Sequence, residues 1–197
     1  MRNAMTKVYQ VKSLSLGILK DMKMWMKLVA LTVLATAIVW LPFVLKFQAL
    51  PGWGLDFSKG MKAIWSNYDG PNYLIVAKSW YDKELVRAAF SAPLPLEYYP
   101  AHLPLYPAMI WALDWVLPGP VAMLLTSLIG VVMASYMFYK FITQFKLSKN
   151  AKILLLAAVL IPARALAVRS IGSPEPWFIF FILASLFCFK KQNYLLA

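Results

Sequence analysis

Leu28–Leu45 reads LVALTVLATAIVWLPFVL, 18 consecutive uncharged and mostly apolar positions. At 1.5 Å rise per residue this is about the minimum for a helix that crosses a hydrocarbon core of roughly 30 Å. Six basic residues precede it, Arg2, Lys7, Lys12, Lys20, Lys23 and Lys27, and no small-residue cleavage pattern follows, because Leu45-Lys46-Phe47-Gln48-Ala49 puts Phe and Lys where small residues belong. The segment therefore reads as a retained anchor. The composition of the whole 197-residue chain agrees with a membrane protein: 61% of its residues are hydrophobic and 14% charged, with a mean hydropathy of +0.64, against about 45–50% apolar and about 25% charged in soluble domains. The lone Cys188 excludes an intrachain disulfide framework and a cysteine-built zinc site.

Three further apolar runs are candidate spans: Val121–Tyr139, Ile153–Val168 around Arg164, and Trp177–Phe189. Leu103–Leu117 is shorter, is bracketed by Pro104, Pro107, Pro118 and Pro120, and carries Asp114. A carboxylate is expensive inside the bilayer, so this run reads as interfacial or re-entrant. Charge supports that choice. With four spans, the N-terminal basic residues, Lys140, Lys146, Lys149, Lys152, Lys190 and Lys191 all lie inside against Asp21 alone, a net charge of +11. Outside, Lys46, Lys59, Lys62, Lys78, Lys83, Arg87, Arg164 and Arg169 face Asp56, Asp69, Asp82, Glu84, Glu97, Asp114 and Glu175, a net of +1. The two sides account for the formal +12 of the chain, and a fifth span would destroy the asymmetry. Lipid topology thus explains a basic balance that would otherwise suggest nucleic acid, and no nucleic-acid partner is expected.

The expected fold class is an all-α integral membrane protein, four transmembrane helices with a long outer loop containing interfacial helices. Its parts are a basic cytoplasmic N-terminus at 1–27, a first span at 28–46, an extracytoplasmic loop at 47–118, a second span at 119–141, a basic cytoplasmic loop at 142–152, a third span at 153–168, a short outer loop at 169–175 and a fourth span at 176–190. The long loop is rich in Trp and Tyr, among them Tyr99, Tyr106, Trp111 and Trp115, which favour headgroup depth. Within it, Asp69-Gly70-Pro71 is a helix entry, and apolar spacing from Leu74 to Ala88 predicts one helix over Pro71–Phe90, with a second starting after Pro104 and Pro107.

Tyr68-Asp69-Gly70-Pro71-Asn72-Tyr73-Leu74-Ile75-Val76-Ala77, then Trp80-Tyr81, then Pro104-Leu105-Tyr106-Pro107, and finally Ser173-Pro174-Glu175-Pro176-Trp177-Phe178 occur in that order. This succession resembles the first outer loop and a later span entry of the GPI mannosyltransferase type 2 family and its prokaryotic relatives, multi-spanning glycosyltransferases of the GT-C class. The family pattern is roughly W-D-[AG]-x-H-Y-x-x-I-A-x-x-G-Y followed by F-P-L-Y-P; its Trp is Tyr68 here and its His is Asn72. The resemblance implies a GT-C-like fold, with loop 47–118 as the active-site loop, and transfer of a sugar from a polyprenyl-phosphate donor to a hydroxyl of a glycan, lipid or protein acceptor. The reaction would proceed with inversion at the outer or luminal face. Mannose is the family expectation. The location implied is the cytoplasmic membrane of a prokaryote or the endoplasmic reticulum of a eukaryote.

On this reading Asp69 is the general base and Glu175 its catalytic partner, holding acceptor or metal or tuning Asp69. From residue chemistry alone, Asp69 also reads as a turn or cap former and Glu175 as an acid favoured at a helix N-terminus. Tyr68, Asn72, Tyr73, Lys78, His102, Tyr106, Arg164 and Arg169 are the candidate substrate-binding residues. The two arginines suit bidentate phosphate binding, or else snorkel toward headgroups. With one histidine, any metal would rest on Asp69 and Glu175, which favours Mg or Mn over Zn. No phosphate-binding P-loop, zinc-protease or serine-elbow motif is present. GT-C enzymes continue through more spans than these, so a fragment, or a chain completed by a companion chain, is also expected. The rival class is a non-catalytic four-span assembly or transport subunit whose loop binds a partner.

Overall fold

The computed structural model describes the backbone of every residue except Met1, Leu55, Ala92, Pro93, Ile161, Pro162 and Ala197, and side chains from Asp21 onward apart from these, Trp53 and Ala163. Helix accounts for 73% of the chain and no strand occurs among the described residues, which settles the all-α class. Helix α1 runs Arg2–Val44, and its Asp21–Val44 stretch is one of two helices long and apolar enough to cross a membrane. The other is α6, Gly119–Gln144. Their 24 and 26 residues correspond to roughly 36 and 39 Å of helix. Half of the apolar window of α6 is buried, against 17% for α1, so α6 is the central post and α1 keeps most of its surface for lipid.

The third expected span is not straight. Helices α7 (Ala151–Leu160) and α8 (Ala163–Ser170) diverge by 69° on either side of Ile161 and Pro162, and together count as at most one span. The sequence puts Pro162, which has no N–H to give to a continuing helix, between the two; Ile161 and Pro162 themselves lie outside the described residues. The fourth expected span, α9 (Glu175–Lys190), has 16 residues, roughly 24 Å, short of the core thickness on its own. The chain thus has two candidate spans, or three with the bent pair, where four were expected.

Side-chain contacts give the direction of each helix. Asp21 on α1 meets Lys140 on α6 at 3.2 Å, and Trp25 stacks on Tyr136 at 4.5 Å. Further along α1, Leu28 joins Val132, Leu155 and Val159 in one cluster, and the Trp40 indole donates to the Ser170 carbonyl at 2.8 Å. Helix α6 therefore runs back along α1, and α7 and α8 return beside it. Helix α9 packs most extensively of all on α6. The Trp177 indole at its start donates to the Thr126 carbonyl at 2.9 Å, while Phe187 near its end meets Phe145 beyond the end of α6. Gly130 permits this pairing, because a Cβ there would lie 2.8 Å from the Trp177 ring.

Residues between α1 and α6 fold onto one end of this bundle, the end opposite Asp21 and Lys140. The helix expected over Pro71–Phe90 is two: α3 (Gly70–Ser79) and α4 (Lys83–Ala89), following the short α2 (Met61–Trp65). Trp80 and Tyr81 take positive φ values of 47° and 69°, which ends α3. Asp82 then caps α4, accepting from the Glu84 and Leu85 N–H groups at 2.9 and 3.1 Å. Helix α5 (Leu105–Asp114) starts directly after Pro104, as expected. Tyr99 and Tyr106, counted with the headgroup aromatics, are instead interior at 2% and 3% exposure. Tyr99 packs with Ile75, Val76 and Val86, and Tyr106 with Ala77, Ile110, Ala122 and Met123. An edge-to-face row of Trp80, Trp111 and Trp115 remains at the surface.

Candidate functional site

Asp69 sits where the chain turns from α2 into α3. Tyr68 adopts a φ of 50°, its N–H donating to Asn67 Oδ1 at 3.0 Å, and the Asp69 carbonyl accepts from the Asn72 and Tyr73 N–H groups. The helix start is therefore closed by backbone. Asp69 occupies the N-cap position, yet its carboxylate makes no capping bond. It takes instead the Asn72 side-chain amide at 3.4 Å, so a residue one turn on in α3 orients the carboxylate.

Glu175 is the first residue of α9. It accepts from Arg164 at 3.0 Å and from the Ser173 hydroxyl. These two segments, distant in sequence, line one polar cleft of about 660 Å³ whose walls include Tyr68, Asp69, Tyr73, Arg164, Ser173 and Glu175. The half-buried Tyr73 phenol is pushed up to about 12, chiefly by burial and then by the charges of Asp69 and Glu175. A group held that high stays a neutral hydrogen-bond donor throughout the physiological range. Its ring is clamped edge-on by His102 at 4.7 Å and Tyr106 at 5.0 Å.

Beneath the cleft lies a buried polar chain. Tyr106 and Ser127 share a hydrogen bond of 2.6 Å; Ser127 accepts from the Ser173 N–H at 3.0 Å and its hydroxyl lies 3.1 Å from the Ser173 carbonyl. Loop helix, central helix and the Glu175 turn are thereby tied at one point. Met123, fully buried, fills the space between the turns: Cβ atoms built on Gly70 and Gly172 would approach its sulfur to 3.3 and 2.2 Å. Glycine at both positions lets the two carboxylate-bearing turns close onto one thioether.

The expected residues separate accordingly. Asp69, Tyr68, Tyr73, Arg164 and Glu175 come together at the cleft. Asn72, Tyr106 and the buried His102, whose Nδ1 faces the Tyr99 carbonyl at 3.2 Å, support it from behind. Lys78 does not reach it; its ammonium pairs with Asp114 at 2.7 Å, joining α3 to α5. Arg169 is in a neighbouring apolar groove of about 560 Å³ between α6, α7, α8 and α9, which shares Arg164, Val168 and Glu175 with the cleft. Ser127 and Met123 are positions beneath the cleft that sequence reasoning passed over. Ser127 had one signal, a hydroxyl in an apolar run; Met123 had none. Among the described residues no cluster of three or more His, Cys, Asp or Glu gathers.

Comparison of the chain with family profiles, with curated proteins and with solved structures finds no match.

Proposed function

We propose that the chain is a membrane glycosyltransferase of GT-C type that moves a sugar, with mannose the expected one, from a polyprenyl phosphate to an acceptor hydroxyl at the outer or luminal face. One observation carries the reading: Asp69, Tyr73, Arg164 and Glu175 line a single polar cleft that shares a wall with an apolar groove. A lipid-linked sugar presents that same juxtaposition, a polar head that reacts and a hydrocarbon tail that does not.

The steps follow from the groups present. Asp69, uncommitted to the helix start, takes the proton of the acceptor hydroxyl as its oxygen attacks the anomeric carbon. The bond from that carbon to the phosphate oxygen breaks with inversion, and the phosphate leaves with the electron pair. Arg164 stands at the cleft wall to offset the charge that develops there. Tyr73 donates a hydrogen bond to sugar or acceptor without giving up its proton. Glu175 holds Arg164 and is itself fixed by Ser173.

We read α1, α6, the α7–α8 pair and α9 as four crossings with both ends of the described chain inside. Supporting this, Asp21, Lys140 and Lys190 gather at the opposite end of the bundle from Asp69 and Glu175, which is the side rich in Lys and Arg. The reading is tested by transfer of radiolabelled sugar from polyprenyl-phosphate-mannose in membranes containing the chain or its Asp69→Asn variant. Transfer by the first and none by the second is expected. Equal transfer by both, or none by the wild-type chain, overturns the proposal.

A further inference from the structure

Arg164 and Arg169 lie on one short helix and differ in every respect that matters to an anion. Arg164 is exposed and already bridged to Glu175. Arg169 is 1% exposed; one of its nitrogens donates to the Val159 carbonyl at 3.2 Å, and its Nε and second terminal nitrogen have no partner. Among the described residues no acidic side chain pairs with it. A buried guanidinium with two unmet donors is costly unless a counter-charge arrives. The surroundings dictate what that counter-charge is attached to. Arg169 lies in the wall of the 560 Å³ groove, which is lined mostly by hydrocarbon, Val131, Ala134, Phe138, Ile179 and Leu183 among it, with Ser135, Arg164 and Glu175 as its other polar members. A free inorganic anion would satisfy the guanidinium and leave the groove unfilled; a neutral chain would do the reverse.

We propose that Arg169 is the seat for the phosphate head of a lipid, with a hydrocarbon chain of that lipid lying in the groove between α6, α8 and α9. The two unmet nitrogens offer the fork that takes a phosphate oxygen pair. Such a lipid has two sources, a prenyl monophosphate or an anionic phospholipid of the bilayer. In assigning the head to the departing phosphate of the donor, the inference deepens the transfer reading and rests on it. The seat itself is tested by binding, with no transfer required. Because Arg164 and Glu175 belong to both cavities, a head placed at Arg169 has the cleft next to it.

The experiment uses the full chain in phosphatidylcholine nanodiscs and tritiated farnesyl monophosphate as probe. Saturable binding is expected, weakened at least tenfold in Arg169→Gln and partly retained in Arg169→Lys. In the wild-type chain, unlabelled farnesol and inorganic phosphate are expected not to compete, a readout that does not depend on any variant folding. Competition by phosphatidic acid as strong as by farnesyl phosphate upholds the seat and assigns it to bilayer lipid; weaker competition upholds it and assigns it to the prenyl chain. Farnesol competing as well as its phosphate, or equal affinity in wild type and a folded Arg169→Gln, overturns the proposal. Binding that persists in a chain without transfer activity leaves the seat standing and sinks the glycosyltransferase reading instead.

Discussion

The polar cleft and the apolar groove share a wall, yet they solve opposite problems. In the cleft the charges are answered by neighbours: Glu175 by Arg164 and Ser173, Asp69 by the Asn72 amide. In the groove the buried guanidinium of Arg169 is left largely unanswered, two of its nitrogens lacking a partner, among side chains that are mostly hydrocarbon. Groups that are paired can be held still for chemistry, whereas an unpaired one under cover waits for a partner that brings its own charge. On the proposed function, the cleft is the place of reaction and the groove the place of holding.

That division can be broken most sharply at Asp69. Asp69→Asn keeps the side-chain shape and removes the base; turnover is expected to fall about 10²–10⁴-fold with expression and insertion unchanged, read by sugar transfer in membranes. Glu175→Gln removes the charge that holds Arg164, and a smaller loss, on the order of tenfold, is expected from the loosened cleft wall in the same assay. Ser127→Ala strips the Ser173 N–H of its partner in a buried site and leaves the Tyr106 hydroxyl only the Met123 carbonyl, a loss of about 1–3 kcal/mol visible as a lower thermal unfolding midpoint.

Tyr73 sharpens the contrast through pH. Its folded-state value is about 12 against 10 in the free side chain, so the folded chain keeps a proton that the unfolded chain gives up first. Its contribution to stability is full below pH 10 and is lost as pH rises toward 12. In a spectrophotometric phenolate titration, the Tyr73→Phe protein is expected to lack a late-titrating phenol. The smallest effect belongs to Lys78→Met. This pair is partly solvated, so a change of about 0–1 kcal/mol in unfolding with transfer preserved is expected; loss of transfer would draw Lys78 into the cleft after all.

The fold was legible where composition alone decides structure. Leu28–Leu45 falls within one candidate span and Val121–Tyr139 within the other, and Asp69-Gly70-Pro71 marks the entry to α3. Reading failed where one residue overrides a periodic pattern. Apolar spacing ran unbroken through Trp80 and Tyr81, whose positive φ is an adaptation to the packed loop, although Asp82 ahead of Lys83-Glu84 carried a cap signature. Pro162 was hidden in a run judged by hydropathy, a measure blind to a missing N–H. At the site, Asp69 and Glu175 could be nominated separately. Their approach depends on close packing among Gly70, Gly172 and Met123, residues chosen for volume rather than for chemistry. Arg169 stood out as an ionisable residue beside an apolar run, but only the tertiary structure separates it from Arg164.

Met123 carries a consequence of its own. Because one thioether touches the turn behind Asp69 and the turn before Glu175, the gap between the two acids is gauged by the girth of a side chain that bears neither. Trimming or widening that spacer would retune the reach of the pair for larger or smaller acceptors while every polar group kept its identity. Oxidising its sulfur would jam the gauge from inside.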